Sequence, residues 1–264
     1  MSETPKGVCR LSVVPVRNAP NESAEQVTQL LFGEHYEVVA TDESKEWYRI
    51  RMVWDGYEGW VNHLQHHPIA QEHFEQINAA DYKISLDVTA SILFRKVLTP
   101  IVIGSVLPLS PNELFQMEEQ LAFNGDSKSL SQRRDVEFVK QMANRYLGAP
   151  YLWGGKSPFG IDCSGFTQMV FKLSGYGLKR DSYQQAEQGL AVDNFSDIEA
   201  GDLAFFTKNG LKISHVGIIL EKNQIIHASG RVRIDMLTEE GIAHKESGKI
   251  THQLHSIRRI LKET

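Results

Sequence analysis

The chain has 264 residues, which is enough for one large domain or for two to three small ones. Charged residues make up 23% of the sequence, hydrophobic residues make up 41%, and the formal net charge is -5. The lysines and arginines are scattered, which argues against nucleic acid as a partner, and no apolar run approaches the roughly 20 residues that span a bilayer.

The first residues do not have the pattern of a secretory leader. Residues 1–7 lack a positively charged region followed by an apolar core. We therefore expect a cytoplasmic protein without membrane contact, or a secreted one if a leader had been removed.

Residues 1 to about 65 are predicted to form a small closed β-barrel. The runs Trp47–Arg51 and Gly56–Val61 have the two-residue period of strands, and the Asp-Gly pair at Asp55 is a strong hairpin signal. About five such short strands in this length imply a barrel. Together with the run Leu31–Glu34, these motifs resemble a bacterial SH3 domain.

Residues 66 to about 125 give a weaker pattern. Apolar runs at Ile84–Val88 and Ile101–Ile103 predict strands. They fit a second, divergent SH3-like barrel, or an irregular subdomain that packs on its neighbours. The polar, turn-rich stretch 125–129 is predicted to be a linker, so that the last domain covers residues 126–264.

Residues 126–264 have the pattern of an α+β domain. Helical spacing of apolar residues predicts a helix over 135–147, and residues 163–173 are predicted to be a second helix. The apolar runs Val216–Leu220 and Gln224–Ser229, separated by the turn residues 221–223, predict a β-hairpin. A helix-led segment followed by an antiparallel sheet gives the α+β class.

Cys163 is a candidate nucleophile because it opens the second predicted helix of this domain. The unpaired backbone N–H groups and the dipole at a helix start favour negative charge, so we expect a lowered thiol pKa and a larger thiolate fraction. The alternative is that Cys163 is only a small, buried apolar residue.

Two histidines are placed to serve such a nucleophile. If the hairpin turns at residues 221–223, His215 and His227 become near neighbours on adjacent strands. A cysteine nucleophile needs a base, and the base needs an orienting partner. The alternative is a pair of half-buried sheet histidines that only bond each other.

Four motifs follow one another along the chain: Tyr151–Gly155, Asp162–Phe166, Ser214–Ile218 and Ile226–Ala228. Together with a fifth run, Gly201–Phe206, they resemble the NlpC-type, papain-like peptidases of bacterial cell-wall metabolism, and the resemblance covers residues from about 135 to 264.

The resemblance implies a role for each catalytic residue. Cys163 attacks the scissile carbonyl, and His215 takes the thiol proton and later protonates the leaving amine. His227 orients His215. The backbone N–H of Cys163 and the Tyr151 hydroxyl stabilise the oxyanion.

The resemblance also implies a substrate. Family members cleave between the γ-carboxyl of D-glutamate and the diamino acid of peptidoglycan stem peptides, and a subset with N-terminal SH3-like domains acts on peptides with a free N-terminal L-alanine. In this chain, Asp181 is expected to bind the free ammonium and Ser182 the D-glutamate α-carboxylate. Alternatively, Asp181 only caps a helix.

Further substrate contacts are expected around these two residues. Asp162 and Ser164 flank the nucleophile, Trp153 offers an apolar wall, and Glu34 and Tyr57 are the candidates from the SH3-like domain. Trp153 could instead be a core residue, and Glu34 a surface turn residue.

These expectations combine into one functional hypothesis. A site that binds a free amine would not accept intact cell wall, so the enzyme would act on released L-Ala-γ-D-Glu-diamino acid peptides in cell-wall recycling. We expect the enzyme to be a monomer. The alternatives are an amidase or acyltransferase that uses the same Cys-His pair, or a non-catalytic module that binds cell wall.

No cofactor is predicted. The two cysteines, Cys9 and Cys163, are far apart and form neither a disulfide framework nor a CxxC pattern. His63, His66 and His67 lie in a polar stretch, and a solvated surface is a better interpretation of them than a metal site.

Overall fold

The structure is a computed structural model that describes residues 5–108, 115–116, 121–208, 210, 212–221, 223–244 and 247–261. Residues 1–4, which are part of the segment 1–7 that lacks a leader pattern, lie outside this range. So does Lys222 of the predicted turn 221–223. The chain divides into two compact units, one of Met1–Gln132 with Trp153–Pro158, the other of Arg133–Leu152 with Phe159–Thr264.

The first unit begins with a seven-stranded antiparallel sheet in the order β3-β2-β6-β5-β4-β1-β7. Its strands are β1 (Lys6–Val8), β2 (Val13–Arg17), β3 (Gln26–Leu31), β4 (His35–Thr41), β5 (Trp47–Met52), β6 (Glu58–Asn62) and β7 (Pro68–Ile69). Alternate residues of β2 are buried, and Val14 and Val16 join Leu30, Tyr36 and Ile50 in one core. The predicted hairpin at Asp55 joins β5 to β6, and Gly56 supplies its left-handed turn with a φ of 75°.

The next part of this unit forms two small antiparallel sheets rather than one continuous sheet. One has the order β10-β9-β13-β12 and the other β11-β8-β14. The elements are α1 (Gln71–Ala79), β8 (Lys83–Ser85), β9 (Thr89–Phe94), β10 (Val97–Val102), β11 (Val106–Leu107), β12 (Phe115–Gln116), β13 (Leu121–Phe123) and β14 (Ser127–Ser129). Ile92, Ile101 and Leu107 share a core with Phe32, which follows β3.

The linker predicted at 125–129 is wrong, because Ser127–Ser129 is strand β14 and pairs with β8. Its polar side chains suggested an exposed segment. Lys128 is nevertheless buried, since its ammonium donates to the carbonyl oxygens of Ser129 at 2.6 Å and Gln132 at 2.7 Å. The first unit therefore extends past the predicted boundary at residue 125, and it also includes β15 (Lys156–Ser157).

The second unit is a helix-and-sheet domain whose sheet has the order β17-β23-β18-β19-β20-β21-β22. β22 also pairs with β23, so that the pairing of the last six strands closes on itself. The elements are α2 (Val136–Arg145), β16 (Gly160–Ile161), α3 (Cys163–Leu173), α4 (Ser182–Gln185), β17 (Leu190–Ala191), β18 (Leu203–Thr207), β19 (Ile213–Glu221), β20 (Gln224–Ser229), β21 (Arg231–Thr238), β22 (Gly241–Ala243) and β23 (Ile250–Arg259).

Both predicted helices are present. Asp135 caps α2 by accepting from the Phe138 N–H at 3.0 Å. Helix α3 begins at Cys163, and all of its residues are buried because the sequence is mostly apolar and the helix packs on α2, β19 and β20. Among the described residues, no helix combines the length and hydropathy needed to span a bilayer. The sheet and α3 together place Cys163 beside strand β19.

Candidate active site

The turn that presents Cys163 is held by a buried polar network. The Asp162 carboxylate accepts from the Gly165 N–H at 2.7 Å and so caps α3. The Arg180 guanidinium donates to both oxygens of Asp162, at 3.0 and 2.6 Å, and to the Ser164 hydroxyl at 2.9 Å. A bidentate charged pair of this kind fixes orientation, so the first turn of α3 is rigid.

The environment of Cys163 favours the neutral thiol. Burial is the largest effect and, with the adjacent Asp162 charge, raises the thiol pKa to about 12. The Val216 backbone N–H and the Arg180 charge lower the pKa, but by less. The expected lowering of the thiol pKa is therefore wrong. The dipole argument considered only the helix start, whereas the whole of α3 is buried.

The two predicted histidines meet across strands β19 and β20. His215 Nε2 and His227 Nδ1 are 2.7 Å apart, and both rings are buried. The predicted proximity is confirmed, although the contact is diagonal, because Gly217 and not His215 stands opposite His227. His215 directly precedes Val216, whose backbone N–H acts on the Cys163 thiol.

The hydrogen-bonded chain continues beyond His227 to a carboxylate that the sequence analysis missed. His227 Nε2 lies 3.0 Å from Asp235 Oδ2, and Arg233 Nε donates to the same oxygen at 2.9 Å. Asp235 is 4% exposed and lies on β21, the strand after His227. Aspartate is depleted in strands, so its presence in the run Arg231–Thr238 was a usable signal.

A third histidine, also missed, covers the face of the His215 ring. The His252 ring on β23 stacks on His215 with centroids 4.2 Å apart and an angle of 26° between the planes. Thr251 Oγ1 lies 2.9 Å from His252 Nδ1. Burial lowers the pKa of His252 to about 4. The stack can therefore fix the plane of the His215 ring without adding charge near neutral pH.

His215 is neutral in this setting. Burial moves its pKa well below the usual value, and the proximity of His227, His252, Arg233 and Lys208 lowers it further. A neutral imidazole can act as a general base toward a neutral thiol in the attack step.

Tyr151, the predicted oxyanion donor, lies near the nucleophile. Its backbone is fixed by a hydrogen bond from its N–H to the Gly230 carbonyl at 2.9 Å. Burial, followed by the charges of Cys163 and Asp162, raises the pKa of the phenol. The hydroxyl therefore keeps its proton. Because the Cys163 charge affects the Tyr151 pKa, the two side chains are close enough to interact.

The predicted substrate residues Asp181 and Ser182 lie at the start of α4 and differ in exposure. Asp181 is half-buried and forms a capping box with Gln184, in which the Asp181 N–H donates to Gln184 Oε1 at 3.4 Å. The capping alternative is thus confirmed as one role of Asp181. Ser182 is buried at the first position of α4, which packs against β19.

Three other predicted substrate residues, Glu34, Tyr57 and Trp153, belong to the first unit. Glu34 is buried and forms a salt bridge with Lys156, with Nζ–O distances of 3.0 and 3.1 Å, so it is not a surface turn residue. Tyr57 packs half-buried on the barrel core. Trp153 is 59% exposed, so it is not a core residue.

The side chains of the described residues do not include a group of three or more His, Cys, Asp or Glu arranged to hold a metal ion. The His66 ring instead contacts Tyr36, with Nδ1 3.0 Å from the tyrosine hydroxyl. Cys9 and Cys163 are both free thiols.

Comparisons with known proteins match both units. The NlpC/P60 family profile matches residues 148–250, and the profile of the bacterial dipeptidyl-peptidase Sh3 domain matches residues 16–65. A gamma-D-glutamyl-L-lysine dipeptidyl-peptidase of Bacillus subtilis (strain 168) is 33% identical over 240 residues, which cover 83% of this chain and 78% of that protein. Dipeptidyl-peptidase 6 of Lysinibacillus sphaericus is 26% identical over 249 residues, which cover 84% of this chain and 88% of that protein.

A solved structure matches nearly the whole chain. The crystal structure of an NlpC/P60 family protein from Bacillus cereus ATCC 10987 has a TM-score of 0.81 at 22% identity, and the match covers 97% of this chain and 100% of that one. This likeness confirms the predicted fold class, in which an α+β domain of the NlpC type follows an SH3-like barrel.

Proposed function

The chain belongs to the NlpC/P60 family and is a cysteine peptidase of peptidoglycan, and we propose that it cleaves stem peptides between the γ-carboxyl of D-glutamate and the diamino acid. The observation that carries the proposal is the His215–His227 pair at 2.7 Å on β19 and β20, the strands on which the helix that begins at Cys163 packs. The name of the Bacillus subtilis relative supports the choice of bond, because it specifies a γ-D-glutamyl-L-lysine linkage.

The proposed reaction begins with neutral groups. As the Cys163 sulfur attacks the γ-carbonyl carbon, its proton passes to His215, and the carbonyl oxygen becomes an oxyanion bound by the Cys163 N–H and the Tyr151 hydroxyl. The C–N bond then breaks, and His215 returns the proton to the leaving amine. Water, deprotonated by His215, hydrolyses the thioester and releases L-Ala-D-Glu and the free thiol.

Asp181 and Ser182 are our candidates for selecting the peptide. Asp181 offers a half-buried carboxylate to the ammonium of a free N-terminal L-alanine, and the Ser182 hydroxyl offers a donor to the D-glutamate α-carboxylate. Support comes from their position at the start of α4, which packs against the strand that carries His215. The "dipeptidyl" part of the relatives' names also fits recognition of a free N-terminus two residues before the cut.

The remaining predicted contacts have different degrees of support. Trp153 stays the candidate for an apolar wall because its side chain is exposed, and Tyr57 stays a candidate because it is only half-buried. The side chains of Asp162 and Ser164 already bind Arg180, so we assign them first to holding the nucleophile. The Glu34 carboxylate already pairs with Lys156.

A requirement for a free amine has a consequence for the biological role. In intact wall, L-alanine is amide-linked to muramic acid and carries no ammonium. We therefore propose that the enzyme acts as a monomer on released peptides in recycling, in the cytoplasm, without a metal or other cofactor.

The test is product identification by mass spectrometry after digestion of L-Ala-γ-D-Glu-L-Lys, its diaminopimelate counterpart and intact muropeptides. The wild type should release L-Ala-D-Glu, and Cys163→Ala should release none while keeping the wild-type circular dichroism spectrum. Cleavage between muramic acid and L-alanine would identify an amidase instead, and transfer to an added amine an acyltransferase. Binding to cell wall without any turnover would support a non-catalytic module.

A further inference from the structure

The buried chain of ring nitrogens at the active site ends on Asp235. Its side chain is 4% exposed, and the two groups seen to donate to it are Arg233 Nε at 2.9 Å and the His227 ring at 3.0 Å. A carboxylate that also serves as the ion-pair partner of an arginine can only accept hydrogen bonds. His227 Nε2 must therefore carry the proton in this contact.

The proton on His227 Nε2 determines which of the other ring nitrogens carry a proton. Burial lowers the pKa of His227, so the ring is neutral and its Nδ1 holds a lone pair. That Nδ1 is 2.7 Å from His215 Nε2, so His215 must donate from Nε2. The neutral His215 ring then keeps its lone pair on Nδ1.

We propose that Asp235 is a positioning residue that acts through His227 to hold His215 as the Nε2–H tautomer, so that Nδ1 is the atom that accepts the Cys163 proton. The proposal rests on the proposed function of Cys163 and His215. Without Asp235, His227 can flip its tautomer and turn its Nδ1–H toward His215, which would place the lone pair of His215 on the wrong nitrogen.

The first measurement needs no substrate. Nitrogen-15 NMR of the histidine-labelled free enzyme, with rings assigned from single His→Gln variants, should show Nε2–H tautomers for His215 and His227 in the wild type. Asp235→Ala should show a mixture of tautomers at both rings. Wild-type tautomers in Asp235→Ala would overturn the proposal, and so would an Nδ1–H tautomer of His215 in the wild type.

The second measurement is kinetic. Asp235→Ala should lower kcat by about 10- to 100-fold, the range seen when the hydrogen-bonded partner behind a metal-binding histidine is removed, with KM within about threefold of wild type. Asp235→Asn should recover part of this loss, because its amide oxygen still accepts from His227. If Asp235→Ala does not fold, the NMR comparison is made on Asp235→Asn and Asp235→Leu.

Asp202→Ala is the matched control, because Asp202 is a buried carboxylate of the same unit that pairs with Arg259 at 2.8 and 2.9 Å. It should destabilise the fold comparably but leave kcat within about twofold and the tautomers unchanged. Equal kcat losses in the two variants would reduce Asp235 to a structural role and overturn the proposal. If the wild type fails to cleave stem peptides, the proposed substrate is wrong, but the NMR result still decides the tautomer inference.

Discussion

Two opposing effects act on the Cys163 thiol, and their sizes decide the chemistry. A helix start favours the thiolate, but the fully buried α3 penalises any charge, and the neighbouring Asp162 adds repulsion. The pKa is raised to about 12, so the resting site contains a thiol and a neutral imidazole rather than an ion pair. His215 must therefore take the proton while the sulfur attacks.

This protonation state predicts the pH dependence of alkylation. The thiolate is the reacting form, and the pKa is raised, so the rate of Cys163 carbamidomethylation by iodoacetamide should rise about tenfold per pH unit from pH 6 to pH 9. Peptide mass spectrometry separates Cys163 from Cys9. A rate that is already at a plateau near pH 6 would mean that the thiolate is preformed, against this account.

The Asp162–Arg180 pair predicts a large loss of stability when it is broken. Arg180→Ala leaves a buried carboxylate without its bidentate partner, which typically costs about 3–5 kcal/mol. The control Lys140→Ala removes a partly exposed pair with Glu221 and should cost less than about 1 kcal/mol. Urea denaturation measures both, and equal losses would contradict the structural role of Arg180.

At the scale of secondary-structure elements, the active site is built from α3 and four strands of one sheet. Helix α3 brings Cys163, β19 brings His215, β20 brings His227, β21 brings Asp235 and β23 brings His252. The sheet order makes β18, β19, β20 and β21 consecutive, so the hydrogen-bonded residues follow one another across the sheet. Strand β23 pairs with β18 on the side away from β19, and its residue His252 nevertheless stacks on the His215 ring.

The stack on β23 predicts a graded response to substitution. His252→Ala removes an aromatic contact worth about 0.5–1.5 kcal/mol, so kcat should fall by about 2- to 10-fold. His252→Phe keeps a ring over His215 and should retain most of the activity. Steady-state kinetics on the stem peptide tests this. A loss in His252→Phe as large as in His252→Ala would show that the nitrogens of His252, and not its ring face, are needed.

Local patterns predicted the elements near the nucleophile well. The helix at 163–173 and the strand Gln224–Ser229 have the predicted limits, because apolar period and turn residues coincide there. The contact of His252 with His215 was not predictable in the same way. His252 is separated from His215 by the whole of β20–β22, and nothing in its local sequence indicates that contact. The β-bulge between Ile219 and Glu221 also lay beyond the simple hairpin rule.

The errors elsewhere have a similar cause. Residues 127–129 were predicted to be a linker because they are polar, but pairing with β8 and two carbonyl acceptors for Lys128 make them a strand. Helix α1 was missed because it is only nine residues long and buries just Phe74 and Ile77. Burial of the Cys163 thiol depends on tertiary packing, which a helix-start argument does not contain.

At the scale of the whole molecule, the chain has two compact units, and residues 153–158 belong to the first although both flanking segments belong to the second. Within the first unit, Lys156 and Glu34 form a salt bridge whose side chains are 1% and 3% exposed. Gln29 Oε1 also accepts from the Lys156 N–H at 2.8 Å. These contacts join the segment to the barrel within that unit.

This pair separates a structural role of Glu34 from a role in binding substrate. Lys156→Met leaves a buried carboxylate and should destabilise the first unit by about 3–5 kcal/mol, whereas Glu34→Gln with Lys156→Met together should recover part of that loss. Calorimetry measures the stabilities. If Glu34 only stabilises the unit, KM of the double variant should match wild type at a temperature where both are folded; a KM raised tenfold would favour substrate binding.

The most direct test of the account is a comparison of initial rates on L-Ala-γ-D-Glu-diaminopimelate and on the same peptide with an acetylated N-terminus. We predict release of L-Ala-D-Glu from the free peptide and a kcat/KM at least about 100-fold lower for the acetylated one, because acetylation removes the charge that the site is proposed to bind. Equal rates on the two peptides would contradict the free-amine requirement and the proposed role in recycling.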